Sequence, residues 1–353
     1  MLTCGSGPSS IAVLRGTAPV KQVPKYAYVA NSNDWTVSQY SIGSTGRLVS
    51  MATTSVAAEW PLSVAVDPTG KYAYVVDNNP SIDYITQFTI GANGSLATQA
   101  TATVQAGDGP QMVAVDPSGR YAYAVNQFSG TISQYTIDAT GNLVDMTPAA
   151  VITGPNPVSI AVDPSGRYAY VVSQFVTDYI YQYAIGPTGG LTAIPPIISV
   201  GTGANAITVD PSGRYAYVTN WVAGSISQYT IDAAGMLTAM TPPQVGAGTN
   251  PVAIAVDPTG RYVYAANSGT NDITQYTIGS DGALTAMSPF SVASGLNPVS
   301  IAIDPSGKFA YVVNRTAGKV AAYSIDQTSG GLTASTTADT GAGPVSIAVT
   351  GIR

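Results

Sequence analysis

Three features of the sequence predict an all-β ring of seven repeated units. Asp-Pro-(Ser/Thr)-Gly-(Arg/Lys) recurs at Asp67, Asp116, Asp163, Asp210, Asp257 and Asp304, spaced by 49 and then by 47 residues. An aromatic pair follows each copy: Tyr72/Tyr74, Tyr121/Tyr123, Tyr168/Tyr170, Tyr215/Tyr217, Tyr262/Tyr264 and Phe309/Tyr311, with a seventh pair, Tyr26/Tyr28, upstream. Between these landmarks β-branched and aromatic residues dominate, Gly and Pro punctuate, and no 3.6-residue period appears. Units of this length that read as four short strands are propeller blades. The expected fold is a seven-bladed β-propeller of four-stranded antiparallel blades.

The elements of one unit follow in order. In the 157–204 unit the first strand is PVSIAV, and the DPSG turn leads to RYAYVV. A variable loop precedes IYQYAI, and a GPTGG turn precedes the last strand, around LTAIPPIISV. A second glycine column reads Gly46, Gly94, Gly141, Gly189, Gly235, Gly282 and Gly331. The first unit begins at KYAYVAN without an inner strand, while Gly343–Val349 (GPVSIAV) is an inner strand with nothing after it. The C-terminal strand is therefore expected to complete blade 1 and lock the ring. A near copy, Gly7–Val13 (GPSSIAV), competes for that slot. The division is a leader, 1–23, carrying a possible spare β-strand at 7–13, and a propeller, 24–353. A spare strand can add to an exposed edge and promote self-association.

The repeated pentapeptide reads as architecture. Asp at i, Pro at i+1 and Gly at i+3 suit a type I turn, with the Asp side chain accepting a main-chain N–H two residues on. One ligand site does not need six equivalents. Thirteen of the 22 tyrosines sit in the paired columns and six more, such as Tyr135 and Tyr229, in a third-strand column, so aromatic richness means packing.

Composition narrows the function. Charged residues are 9% of the chain, against about 25% in typical soluble domains. A surface of Ser, Thr, Asn, Gln and Gly suits an extracellular or cell-envelope location. Net charge is −6 without a basic run, so nucleic acid is not an expected partner. No apolar run is long enough for a transmembrane helix. MLTCGSG lacks the charged start and apolar stretch of a signal peptide. Cys4 is the single cysteine, and its Gly5-Ser6-Gly7 sequel resembles the start of a lipidated bacterial lipoprotein, so Cys4 is a possible lipid anchor. With no histidine, Ser–His–Asp triads, Cys–His pairs and His-ligated zinc are excluded.

The run YAYVTN at Tyr215–Asn220, with YAYVAN at Tyr26–Asn31 and FAYVVN at Phe309–Asn314, follows or parallels DPSGR. In these motifs the chain, from about residue 24 to 353, resembles the YVTN-repeat β-propellers. That group includes a bacterial lactonase-like family named after 6-phosphogluconolactonase, and many exported proteins. The resemblance implies a propeller fold and, for the hydrolase members, a site at the channel mouth built from acidic, basic and histidine side chains. This sequence offers no histidine and one glutamate, Glu59, for such a site.

Ligands are expected on the face opposite the DPSG turns, where residues depart from the repeat. The column before the first-strand proline reads Trp60, Gly109, Asn156, Gly203, Asn250, Asn297 and Gly343, with Glu59 and Asp108 one position earlier and Gln111 and Asn205 after it. These oxygens are candidates to hold a divalent cation such as calcium in the central channel. The strand-end column reads Asn31, Asp77, Asn126, Ser173, Asn220, Asn267 and Asn314, and Trp35, Phe128, Phe175, Trp221 and Arg315 lie nearby. Candidate catalytic residues are Glu59, Asp77 or Asp108 as base and Arg315 as stabiliser of a developing oxyanion. Candidate ligand-binding residues are Trp35, Trp60, Gln111, Asn156, Asn205, Trp221, Asn250 and Asn297. The leading reading is a binding or self-assembling scaffold with a protein or carbohydrate partner. The alternative is a lactonase-like hydrolase that opens a sugar lactone with carboxylate- or metal-activated water.

Overall fold

The computed structural model describes residues 23–79, 82–174 and 177–352. Among these, 28 strands form seven four-stranded antiparallel sheets. The inner strands Pro61–Val66, Pro110–Val115, Pro157–Val162, Ala204–Val209, Pro251–Val256, Pro298–Ile303 and Pro344–Ile352 each touch the next, and the last touches the first. The ring is therefore closed. The inner strand of blade 1 is Pro344–Ile352, paired with Val23–Asn31 from Tyr28↔Ala348 outward. The competing copy at residues 7–13, with Cys4, lies outside the described residues, as does Phe175.

The repeated turn is built as its residues dictate. In blade 4, Asp163 Oδ1 accepts the main-chain N–H groups of Arg167 and Tyr168, both at 2.7 Å. Its Oδ2 accepts the N–H and hydroxyl of Ser165, at 3.0 and 2.5 Å. Arg167 lies 5.1 Å over the Tyr168 ring, as Arg120, Arg214 and Arg261 lie over their tyrosines. One carboxylate thus satisfies the turn and starts the second strand. It leaves no acceptor for a ligand.

The tyrosine pairs join the blades. The second hydroxyl of each pair donates to a glycine carbonyl in the following blade: Tyr28 to Gly94, Tyr74 to Gly141, Tyr123 to Gly189, Tyr170 to Gly235, Tyr217 to Gly282, Tyr264 to Gly330 and Tyr311 to Gly46, at 2.6–3.0 Å. Blade 7 thereby grips blade 1 like any other neighbour. The first ring of each pair lies flat on the same glycine, so a Cβ at Gly235 would stand 2.3 Å from Tyr168. These glycines have φ of 78–88°. The structure corrects one assignment: in blade 7 the gripped residue is Gly330, with Gly331 one position beyond it. Burial raises the phenol pKa of the buried tyrosines, which keeps each a donor.

A second link has one gap. Third-strand glutamines accept the N–H of a leucine in the next blade's outer strand, for example Gln134 from Leu191 and Gln228 from Leu284. Six blades do this; blade 7 has Ala322 there. Beside it, between blades 6 and 7, an open cavity of about 470 Å³ is lined by small residues including Ala321, Ala322 and Ala334.

Two substitutions separate the parts of the main link. Tyr217→Phe removes one buried hydrogen bond and should cost about 1 kcal/mol in urea unfolding. Gly235→Ala places a Cβ into the Tyr168 ring at a φ of 81° and should cost more, about 2–4 kcal/mol. Equal losses would show that the glycine is not constrained by the ring above it.

Candidate functional site

The channel mouth opposite the DPSG turns is built by two columns that meet in every blade. The residue before each inner strand has positive φ: Trp60, Gly109, Asn156, Gly203, Asn250, Asn297 and Gly343, between 54° and 76°. Its carbonyl accepts the N–H of the residue after the strand-end column: Asn78, Gln127, Gln174, Trp221, Ser268, Arg315 and Ser32 do so at 2.7–3.2 Å. Left-handed backbone favours Gly and, next, Asn. The asparagines of this column therefore have a backbone cause, which their residue types alone did not reveal.

On blades 3 to 6 the mouth amides hydrogen-bond to neighbouring loops. Gln111 Nε2 donates to Gln127 Oε1 at 2.7 Å, and Gln127 donates to Asn156 Oδ1. Gln174 donates to Asn205 Oδ1 at 3.2 Å, and Asn205 donates to the Val252 carbonyl at 2.7 Å. Asn250 donates to the Trp221 carbonyl at 3.1 Å. The structure thus places four expected ligand residues in three short hydrogen-bonded runs: Gln111 with Asn156 through Gln127, Asn205 with Gln174, and Asn250 with the Trp221 carbonyl. Trp221 is exposed on blade 5, and the main-chain N–H of Asn297 donates to Asn271 Oδ1 at 2.6 Å. Among the described residues no three acidic side chains converge to hold a metal ion. A channel cation would draw on these amide and main-chain oxygens.

Blades 7, 1 and 2 form the open sector. The strand-end column explains its chemistry. In blade 5 the buried Asn220 amide is satisfied at both ends, Nδ2 donating to the Gly201 carbonyl at 3.2 Å and Oδ1 accepting from the Ser225 and Ser227 hydroxyls at 3.0 and 2.9 Å. A glycine at the Gly201 position leaves room for it, since a Cβ there would stand 2.5 Å from the amide. Blade 2 breaks this pattern, with Asp77 for Asn and Ala58 for Gly. Asp77 is fully buried, and its Oδ2 accepts from the Thr86 hydroxyl. Burial first, and the Glu59 charge after it, push its pKa up to about 8. At neutral pH it is mainly a neutral acid, with one donor and one acceptor oxygen like the amide it replaces.

Glu59 is exposed above this buried acid, and Asn79 Nδ2 donates to its Oε2 at 3.0 Å. The Tyr84 phenol faces the same carboxylate; burial and then Glu59 raise its pKa. Tyr84 lies on the third strand of blade 2, Ile82–Ile90, directly opposite Asp77. A second acid pair stands at the next blade boundary. Asp83 Oδ2 accepts the Gly109 N–H at 3.0 Å, and burial, then Asp108, raises its pKa. The four expected catalytic residues therefore divide. Glu59 and Asp77 meet, Asp108 joins Asp83, and Arg315 stands on blade 7 with blade 1 between it and Glu59. The half-buried Arg315 guanidinium has no ion pair among the described residues, and burial lowers its pKa.

Trp35 and Trp60 meet across the boundary of blades 1 and 2. Their ring centroids are 6.1 Å apart and their planes 28° from parallel. Both are about half exposed. Both have left-handed backbone, φ 58° and 54°, which costs roughly 1–2 kcal/mol in a residue other than glycine.

The sequence matches the family model described as Lactonase, 7-bladed beta-propeller, over residues 63–239 and 152–349. No curated protein matches it. Many solved structures share its form, at low sequence identity. A Bacteroides uniformis protein provisionally named a 6-phosphogluconolactonase is 20% identical with a TM-score of 0.80, covering 93% of this chain and 99% of its own. The periplasmic gluconolactonase of Pseudomonas aeruginosa is 17% identical with a TM-score of 0.74, over 93% and 99%. Kuenenia stuttgartiensis hydrazine synthase is 18% identical with a TM-score of 0.68, over 93% and 97%. At these identities the likeness is one of fold.

The raised pKa of Asp77 sets a pH dependence. Between about pH 4 and 8 the native state holds a proton that the unfolded chain has lost, so stability falls as pH rises through this window. Asp77→Asn supplies the residue of five other blades and removes this loss. Relative to the wild type it should gain on the order of 4 kcal/mol between pH 5 and pH 9, at about 1.4 kcal/mol per pKa unit over the three units up to pH 8. Urea unfolding at both pH values measures it; a constant difference would mean that Asp77 is ionised throughout.

Proposed function

Since the chain belongs to the lactonase family of seven-bladed β-propellers, we propose that it hydrolyses a lactone at the open sector of the channel mouth. The observation that carries this reading is the Glu59–Asp77 pair of blade 2. It is the one place where the repeat's buried strand-end residue becomes an acid, and that acid lies beneath an exposed carboxylate. The family match supports hydrolysis over the scaffold reading that the sequence alone puts first. The low charge supports a place in the cell envelope or outside the cell.

The chemistry follows from the positions. Lactone opening needs a base to take a proton from water as its oxygen attacks the carbonyl carbon; the ring C–O bond then breaks, and the protonated base returns the proton to the departing ring oxygen. Glu59 is exposed, with Asn79 Nδ2 and the Tyr84 phenol as donors to its carboxylate, and the remaining lone pairs of that carboxylate are acceptors for water. Asp77 is too deeply buried to touch a substrate. It acts through Glu59: while it keeps its proton, Glu59 does not face a second negative charge. The Tyr84 phenol, kept protonated by its raised pKa, is a donor beside the same carboxylate. Arg315, across blade 1, is a cation for an anionic substituent or for charge that grows on the lactone oxygen.

Two measurements test this. Glu59→Gln should lower kcat/KM for glucono-δ-lactone by about 10²–10⁴-fold at pH 6.5, after subtraction of spontaneous hydrolysis, whereas Asp77→Asn should keep most of the activity and lose any inflection near pH 8. Undiminished hydrolysis by Glu59→Gln would end the reading. With the 6-phosphate ester of that lactone, Arg315→Ala should raise KM about tenfold and leave kcat nearly unchanged; an equal fall in kcat for both substrates would place Arg315 at the reacting carbonyl instead.

A further inference from the structure

We propose that Trp35 and Trp60 form a platform on which a saccharide chain stacks, at the rim between blades 1 and 2. Two independent backbone positions carry this inference. The position of Trp60 is Gly109, Asn156, Gly203, Asn250, Asn297 or Gly343 in the other blades, all with positive φ. The position of Trp35 is Gly130, Gly224, Asn271 and Gly318 in blades 3, 5, 6 and 7, at φ of 57–62°. Only blade 1 and its boundary with blade 2 place a large ring at either position. Both do so where the two rings meet.

Packing does not require these rings, because both are about half exposed. The main chain beneath them is held in place. The Trp35 carbonyl accepts the Ala58 N–H at 2.9 Å, and the Trp60 carbonyl accepts the Asn78 N–H at 3.2 Å. Strained residues held in this way cluster at ligand sites. The rings are therefore pre-organised and lose little freedom on binding.

The ligand class follows from the surroundings. An aromatic face is electronegative and attracts the C–H groups that line one face of a pyranose ring. The two rings stack on one another, and an outer ring face is left for a sugar of the chain to pack on. Sugar hydroxyls need donors and acceptors at the edge, and Glu59, Asn79 and the exposed Asn33 and Asp34 stand beside the two tryptophans. A protein partner would need a far larger apolar surface than two side chains give. Glu59 borders both this platform and the proposed hydrolytic site, but saccharide binding is read without turnover and can be tested apart from hydrolysis.

The test uses intrinsic fluorescence in a Trp221→Phe background, which leaves the pair as the only tryptophans. The probes are cellohexaose, chitohexaose, maltohexaose and xylohexaose, titrated to millimolar concentration. At least one should change the emission saturably. Trp35→Gly and Trp60→Asn, followed by calorimetric titration, should each weaken that binding at least tenfold, and each should raise Tm because it restores the residue that the other blades use. The proposal is overturned if no probe binds, if either variant binds as tightly as the parent, or if both variants lower Tm, which would make the rings structural.

Discussion

Everything in this molecule depends on one repeated contact, the tyrosine hydroxyl on the glycine carbonyl of the next blade. A four-stranded blade cannot bury both its faces alone. It needs neighbours at a fixed angle, and the tyrosine–glycine link sets that relation seven times, including across the closure from blade 7 to blade 1. The glycine is demanded twice, by its positive φ and by the ring that lies on it. Closure also pairs the first described strand with the last, since Val23–Asn31 takes its inner neighbour from Pro344–Ile352.

A ring held together by identical contacts can tolerate differences where those contacts are absent. The channel mouth is such a place. Its main-chain bonds repeat in all seven blades, and its side chains do not. Blades 3 to 6 use their amides on one another, as in the run from Gln111 through Gln127 to Asn156. Blades 7, 1 and 2 leave a cation, an exposed carboxylate and two aromatic rings facing outward. The acid at Asp77 costs stability at alkaline pH, and the two left-handed tryptophans cost it at any pH. These costs lie on one side of the mouth, which is why function is placed there.

Much of the fold was legible because the sequence states it repeatedly. The turn role of Asp163, the tyrosine columns and the inner strand 344–349 all follow from spacing and residue type. The site was legible in part. Sequence identified Glu59, Asp77, Trp35 and Trp60 as departures from the repeat. It could not show that Asp77 is buried beneath Glu59, because burial depends on which face of a strand end turns inward. Nor could it show that two tryptophans 25 positions apart touch, since their contact crosses a blade boundary. The asparagines of the mouth were read as ligands because composition records a side chain and not a φ; Asn156 and Asn250 satisfy a backbone demand as well. Gly331 was one residue from the glycine that is gripped, because the blade 7 turn is followed by a second glycine.

The account's central claim is that blade 2 and its border with blade 1 give up stability for function. The most direct test is thermal unfolding, with a lactone-hydrolysis assay, of one variant carrying Trp35→Gly, Ala58→Gly, Trp60→Asn and Asp77→Asn together. These changes restore the residues that other blades use at those four positions. The account predicts a higher Tm at pH 8, loss of saccharide binding, and persistence of the Glu59-dependent hydrolysis. A lower Tm would contradict it, because the departures would then be part of the packing and not of the site.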